Sequence, residues 1–259
     1  MNTGERFERL AEVMHTLRRE CPWDRKQTHD TLRAYLLEET HEVLEVLDER
    51  RYEELDEELG DLLLQVIFQA EVARDEGWFS IDNVIDGITE KLIRRHPHVF
   101  ADAKAETPDD VVRRWESIKT GIEKKESVLD GVPEALPALL KASRVLSKIR
   151  QTGLEPFDER SAVSEARTWL DRLIDAPADD SVDAETAAGI LCLAAAALAR
   201  RAGANAEDGL RKALGRLIEA FQSEEKVLKR QGRTFGDLSP DERAAWEGRL
   251  RDACEGEEQ

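Results

Sequence analysis

The stretch Glu38-Glu39-Thr40-His41-Glu42, followed after fifteen residues by Glu58-Leu59-Gly60-Asp61, decides the architecture of the first half of this chain. Each motif puts two carboxylates three positions apart, and residues at this spacing lie on one face of an α-helix. Two such helices packed side by side would aim four carboxylates at one point. Four like charges repel or take up protons unless a hard divalent cation lies between them. The pattern therefore predicts a pair of helices that holds a Mg²⁺ ion.

Apolar residues at helical spacing flank both motifs. Carboxylates at the margin of a core are costly unless they are paired or bound to a metal. In a chain with 56 acidic residues, a solvated acidic helix surface is the alternative interpretation, and the apolar flanks favour the metal site over it. The residues of the second helix that we expect to face a core are Leu55, Leu59, Leu62, Leu63, Val66, Ile67 and Ala70.

The rest of the chain is also predicted to be helical. Glu, Leu, Ala and Arg are abundant and aromatic residues make up only 5%, a composition that favours helix over strand. Apolar periodicity predicts helices over residues 5–19, 31–49, 52–75 and 81–95, and a shorter charged helix over residues 109–125. The predicted fold class is all-α.

The second half of the chain echoes the first at an offset of about 130 residues, a spacing that indicates a duplicated module. Gly60-Asp61-Leu62-Leu63 is matched by Gly189-Ile190-Leu191-Cys192, and Phe100-Ala101-Asp102 by Phe235-Gly236-Asp237. We predict two tandem helical-bundle modules, residues 1–126 and 127–259.

The acidic motif is degraded in the predicted second module. Side chains that cannot bind a metal stand where the first module has its four carboxylates, so we expect chemistry in the first module alone. The second module would then serve structure or dimerisation. The replaced carboxylates are Glu39, Glu42, Glu58 and Asp61, and their counterparts are Ala166, Trp169, Ala187 and Ile190.

Overall charge and cysteine usage bear on partners and compartment. The formal net charge of −18 argues against binding to nucleic acid or to an anionic membrane. Cys21, Cys192 and Cys254 are scattered and odd in number, which favours a reducing compartment. The charged residues 1–10 show no signal peptide, and the longest apolar run, residues 190–199, is too short to span a bilayer. We expect a cytoplasmic protein.

A basic cluster, Lys91-Leu92-Ile93-Arg94-Arg95-His96-Pro97-His98, stands out in this acidic chain. One interpretation is that these cations interact favourably with the dipole of a helix that ends here, which is common at a helix C-terminus. The alternative is a phosphate clamp, because guanidinium groups bind phosphate in a bidentate manner and lysine supplies a point charge. Trp115 and Lys119, four residues apart, could cover such a clamp. A clamp beside a carboxylate-held Mg²⁺ is what a phosphoanhydride substrate requires.

Two further patterns leave alternatives open. Glu38 and His41 form a Glu-x-x-His motif, and a di-iron bundle uses two such motifs with two further carboxylates; we favour the Mg²⁺ site over this alternative. The segment Cys21-Pro22-Trp23-Asp24 is either a capped helix connector or a loop that offers an aromatic face to a nucleobase. Spacing does not separate these two interpretations.

Taken together, four motifs resemble the MazG-type nucleoside triphosphate pyrophosphohydrolases of the all-α NTP pyrophosphatase superfamily. The EExxE…ExxD pattern is typical of the superfamily, and the run after Arg94 is more specific to the MazG group. The specific motifs lie between residues 21 and 119. They are Cys21-Pro22-Trp23-Asp24, the acidic motifs of residues 38–61, Arg94-Arg95-His96-Pro97-His98-Val99-Phe100 and Arg114-Trp115-Glu116-x-x-Lys119.

The resemblance implies a homodimer that uses Mg²⁺, with Mn²⁺ as a substitute, to hydrolyse nucleoside triphosphates between the α and β phosphates. By position it implies Glu39, Glu42, Glu58 and Asp61 as metal ligands, and Glu38, Lys91 and Arg95 as catalytic residues. The implied substrate contacts are Trp23, Asp24, Lys91, Arg94, Arg95, Trp115 and Lys119. The alternatives are a non-catalytic acidic scaffold and a related enzyme with a narrower nucleotide substrate.

Overall fold

Helices form all of the regular secondary structure in residues 1–101, 126–175 and 181–255, which the computed structural model describes. The predicted all-α fold class is confirmed. The chain divides into two compact units, Met1–Lys124 and Lys125–Gln259. In the described part of the chain, no single helix is long and apolar enough to cross a membrane. Residues 184–201 and 206–230 meet that test only together, as a pair bent by 103°.

The first unit contains five described helices. The bounds of the first four follow the predicted ones within three residues, and the short fifth helix was not predicted. A 3-10 turn, Asp24–Lys26, follows the first helix. The charged helix predicted over residues 109–125 lies outside the described residues. The helices are α1 (Thr3–Glu20), α2 (Leu32–Glu49), α3 (Leu55–Asp75), α4 (Ile81–Arg95) and α5 (Pro97–Phe100).

A tight connection between α2 and α3 makes these two helices an antiparallel pair. Arg50, with φ 57°, takes the left-handed conformation that ends α2. Arg51 forms ion pairs with Glu49 and Glu54 on the two sides of the turn. The two helices then pack along their lengths, which brings the acidic residues of α2 opposite the start of α3.

The core of the first unit lies between α1, α2 and α3. Met14, Leu32, Ile67, Phe68 and Val72 form its buried cluster. Buried apolar side chains of this kind provide most of the stability of a helical unit.

The prediction that the whole apolar set of α3 faces a core is wrong for three residues. Leu59, Leu63 and Val66 are 47%, 38% and 40% exposed. The reason is geometric, because within the described residues α1 and α2 cover one side of α3, and these side chains project elsewhere.

The second unit contains five described helices and a 3-10 turn, Phe235–Asp237. The second helix packs on the third, as α2 packs on α3 in the first unit. Gly203, with φ 76°, follows the third helix, as Gly77, with φ 72°, follows α3. The helices are α6 (Ala138–Arg150), α7 (Glu159–Asp175), α8 (Ser181–Arg201), α9 (Ala206–Arg230) and α10 (Pro240–Glu255).

Candidate functional site

Three carboxylates from the two acidic motifs meet between α2 and α3. One oxygen from each of Glu39, Glu58 and Asp61 lies within 4.8 Å of the other two. Glu39 comes from the middle of α2, and the other two come from the first turns of α3. In the part of the chain that the structure describes, no other group of acidic, histidine or cysteine side chains converges in this way.

The fourth predicted ligand, Glu42, lies next to this group. Burial raises the pKa of the Glu39 carboxyl, and a side-chain hydrogen bond with Glu42 and the charges of Glu42, Asp61 and Glu38 raise it further. The crowding of these carboxylates therefore disfavours the ionised form of Glu39, as expected where acidic groups converge.

Glu58 experiences the same crowding. Burial raises the pKa of its carboxyl, the charges of Glu42, Asp61 and Glu57 add to the shift, and Arg51 opposes it. Negative charge thus exceeds positive charge around the cluster, which is the condition under which a divalent cation binds most favourably.

The donor set fits a hard cation. All four side chains offer carboxylate oxygens, the donors that Mg²⁺ prefers over nitrogen and sulfur. An octahedral Mg²⁺ with ligands at about 2.1 Å needs oxygen separations of roughly 3 to 4 Å. The observed limit of 4.8 Å is close enough for small side-chain rotations to meet that requirement.

Gln65 is a residue of the site that the sequence reasoning missed. Its side chain is buried, with 5% exposed, and its Nε2 donates a hydrogen bond to Oε1 of Glu39 at 3.5 Å. The signal was a single amide within the apolar run Leu62-Leu63-Leu64-Gln65-Val66-Ile67-Phe68. Its position, four residues after Asp61, could have indicated the shared helix face.

The loop after α1 is anchored to the helices and leaves one aromatic face open. Arg18 donates hydrogen bonds to the carbonyl oxygens of Asp24 and Gln27. Trp23 packs edge-on against Tyr35 and Phe68, with ring centroids 5.8 and 6.3 Å away. Half of the Trp23 surface stays exposed, so this loop acts as a fixed connector that also presents an aromatic side chain.

The lysine and arginine residues of the basic cluster lie on the last turn of α4. Lys91 and Arg94 are exposed and Arg95 is half-buried. Among the described residues, neither Lys91 nor Arg94 forms an ion pair with the acidic cluster. The predicted contacts Trp115 and Lys119 lie outside the described residues.

The counterpart positions in the second unit have other surroundings. Ala187 is fully buried. Trp169 donates a hydrogen bond to Glu165. The guanidinium of Arg172 lies 4.5 Å from the centroid of the Trp169 ring. Ala187 is therefore a packing residue, and Trp169 interacts with neighbours on its own helix.

The sequence of the chain is similar to those of known proteins. The model of the MazG nucleotide pyrophosphohydrolase domain matches residues 27–100. The chain is 37% identical over 239 residues to the nucleoside triphosphate pyrophosphohydrolase/pyrophosphatase MazG of Thermotoga maritima, covering 91% of each protein. It is also 37% identical over 235 residues to the nucleoside triphosphate pyrophosphohydrolase of Escherichia coli K12, covering 87% of this chain and 89% of that protein. The chain belongs to the MazG nucleotide pyrophosphohydrolase family.

Proposed function

We propose that this protein is a Mg²⁺-dependent nucleoside triphosphate pyrophosphohydrolase. It hydrolyses ribo- or deoxyribonucleoside triphosphates between the α and β phosphates and releases the monophosphate and pyrophosphate. The observation that carries the proposal is the convergence of Glu39, Glu58 and Asp61 within 4.8 Å. The names of the relatives in T. maritima and E. coli support the reaction class. The three free cysteines agree with action in the reducing cytoplasm.

The carboxylates of Glu39, Glu42, Glu58 and Asp61 would hold the Mg²⁺ ion, for which Mn²⁺ could substitute. When bound, the ion supplies charge neutralisation at the phosphates and acidifies water. Glu38, exposed beside Glu39, would orient the attacking water by accepting a hydrogen bond from it.

The other proposed residues would bind the substrate. Lys91 and Arg95, with Arg94 as an auxiliary contact, would hold the phosphates and stabilise the pyrophosphate leaving group. Trp23 would stack on the nucleobase, and Asp24 would accept a hydrogen bond from the nucleoside. We also assign nucleotide contacts to Trp115 and Lys119.

The position of the cut is tested by products and by oxygen labelling. The purified chain is incubated with ATP or dATP and Mg²⁺ in H₂¹⁸O, and the products are followed by ³¹P NMR and mass spectrometry. We expect monophosphate and pyrophosphate in equal amounts, with ¹⁸O on the monophosphate if water attacks the α phosphorus. Release of diphosphate and inorganic phosphate would contradict the proposal, and so would no turnover across a panel of all NTPs and dNTPs with Mg²⁺ and with Mn²⁺.

We also propose that the protein is a homodimer and that apolar faces left open in both units contribute to its interface. Helix α4 has no buried residue, and Ile85, Ile88 and Leu92 form an exposed stripe along it. Helix α9 exposes a similar stripe that includes Leu214 and Ile218. Exposed stripes of this size on a soluble chain mark association surfaces, and in a closed dimer the same patch is used by both subunits.

Charge placed in either stripe should dissociate the dimer. We expect Ile88→Asp and Ile218→Asp each to weaken dimerisation at least tenfold, because a carboxylate would be buried without a partner. Leu154→Asp is the control, since Leu154 is 64% exposed and lies in the turn between α6 and α7. Sedimentation velocity over a concentration series measures the effect. A wild-type monomer, or a dimer unaffected by both changes, would refute this interface.

A further inference from the structure

We propose that Gln65 is a positioning residue that holds Glu39 in the orientation needed for cation binding. The inference rests on the proposed Mg²⁺ site and adds a residue outside the four carboxylates. Within the described residues, two polar or charged side chains are buried, Gln65 and Glu71. Glu71 is paired with His15 at 3.1 Å and with Arg74 at 3.0 Å. Gln65 instead has a hydrogen bond to Glu39.

The position of Gln65 in the fold explains why it can act on Glu39. It lies one helical turn after Asp61 on α3, and it therefore shares the face that Glu58 and Asp61 present to α2. Its hydrogen bond crosses from α3 to α2. Gln65 on α3 thus contacts Glu39, which is the residue that α2 contributes to the group of three carboxylates within 4.8 Å of each other.

The orientation of the amide follows from the chemistry of its partner. An ionised carboxylate only accepts hydrogen bonds, so the NH₂ end of Gln65 must face Glu39. The carbonyl oxygen Oε1 then points away, and it is buried without a hydrogen-bond partner. A buried unpaired carbonyl destabilises the fold. An apolar side chain of similar size would fill the same space without that cost.

A glutamine at this position therefore contributes little to the stability of the fold. Its main effect is on the orientation of the Glu39 side chain. The amide restrains the Glu39 side chain so that its carboxylate points toward Glu58 and Asp61. It does so as a neutral donor, so it adds no positive charge that would compete with the cation. Partners of this kind, behind metal-binding carboxylates, typically change metal affinity by 10- to 100-fold when they are removed.

The test is a cation titration of the full chain in the absence of nucleotide. Binding of Mn²⁺ is followed by the EPR signal of the free ion, and binding of Mg²⁺ by calorimetry. The proteins are the wild type, Gln65→Leu, Glu39→Gln and the double variant. Gln65→Met is a second variant for use if Gln65→Leu folds poorly. Gln69→Leu is the matched control, because Gln69 lies one turn further along α3 and pairs with His29.

We expect Gln65→Leu to weaken Mn²⁺ affinity about tenfold while its melting temperature without metal stays equal or rises. In the Glu39→Gln background the same change should have no further effect, and Gln69→Leu should bind Mn²⁺ like the wild type. Wild-type affinity in Gln65→Leu, or an equal loss with and without Glu39, would overturn the proposal for Gln65. Failure of the wild type itself to bind either ion would instead overturn the proposed metal site.

Discussion

Replacing Asp61 with asparagine is expected to abolish Mg²⁺-dependent pyrophosphate release. The substitution keeps the size of the side chain but removes one of three carboxylates that lie within 4.8 Å of each other. Because the ion would bind through these oxygens, the loss in kcat/KM should be roughly 10³-fold or more. A coupled pyrophosphate assay with ATP and dATP measures this loss.

The matched control for Asp61→Asn lies in the second unit. Glu165→Ala removes a carboxylate from α7, at a place where the structure shows a hydrogen bond to Trp169 and no acidic cluster. We expect its turnover to equal that of the wild type. Wild-type turnover in Asp61→Asn would refute the metal site, and a large loss in Glu165→Ala would refute the assignment of chemistry to the first unit.

The variant Asp61→Asn should also change how the stability of the protein depends on pH. The folded state raises the pKa of Glu39 and Glu58, so these two groups bind more protons in the folded state than in the unfolded state. Their contribution to stability is therefore present below the usual value of 4.5 and is lost as pH rises through the folded-state pKa. Asp61 is one of the charges that raise both pKa values. Without Mg²⁺, Asp61→Asn should lose less stability than the wild type between acid and neutral pH.

Thermal melts with EDTA and with Mg²⁺ test this consequence. At neutral pH we expect Asp61→Asn to melt above the wild type in EDTA. Added Mg²⁺ should raise the melting temperature of the wild type, because a ligand bound only by the native state stabilises it, and should leave the variant unchanged. A variant that melts lower in EDTA would show that Asp61 stabilises the fold and would contradict the picture of uncompensated charge.

Replacing Lys91 with methionine is the second prediction with a large effect. Lys91 is exposed on the last turn of α4 and has no ion pair with the acidic cluster among the described residues. If it holds the phosphates, its loss should lower kcat/KM about 100-fold, the usual effect of removing one group that stabilises developing charge. Initial rates over a range of ATP concentrations measure kcat and KM separately.

An exposed lysine on another helix serves as the control for Lys91→Met. Lys226 lies on α9 of the second unit, and Lys226→Met removes the same charge at a place with no proposed substrate contact. We expect it to turn over like the wild type, and we expect Lys91→Met to bind Mg²⁺ normally in the absence of nucleotide. A change of less than threefold in kcat/KM for Lys91→Met would contradict the proposed phosphate contact and favour interaction with the helix dipole as the role of the basic cluster.

Helix boundaries could be predicted where local signals are strong. Helix α4 begins after a capping box of Ser80 and Asn83 and ends before Pro97, and its predicted and observed ranges are the same. Helix α3 begins three residues later than predicted, at Leu55, because Arg51 and its ion pair with Glu54 hold the preceding residues in a turn. Capping and proline effects act over a few residues, whereas that turn depends on a side-chain pairing.

The sequence by itself determined which residues share a helix face. Spacing of three puts Glu58 and Asp61 on one side of α3, because this follows from the 3.6-residue period of the helix. Only the tertiary structure decided which faces meet. It brings Glu39 across 26 residues to the hydrogen bond with Gln65, and it leaves Leu59 exposed. Periodicity describes one helix at a time, whereas a metal site and a covered apolar face both depend on how helices pack against each other.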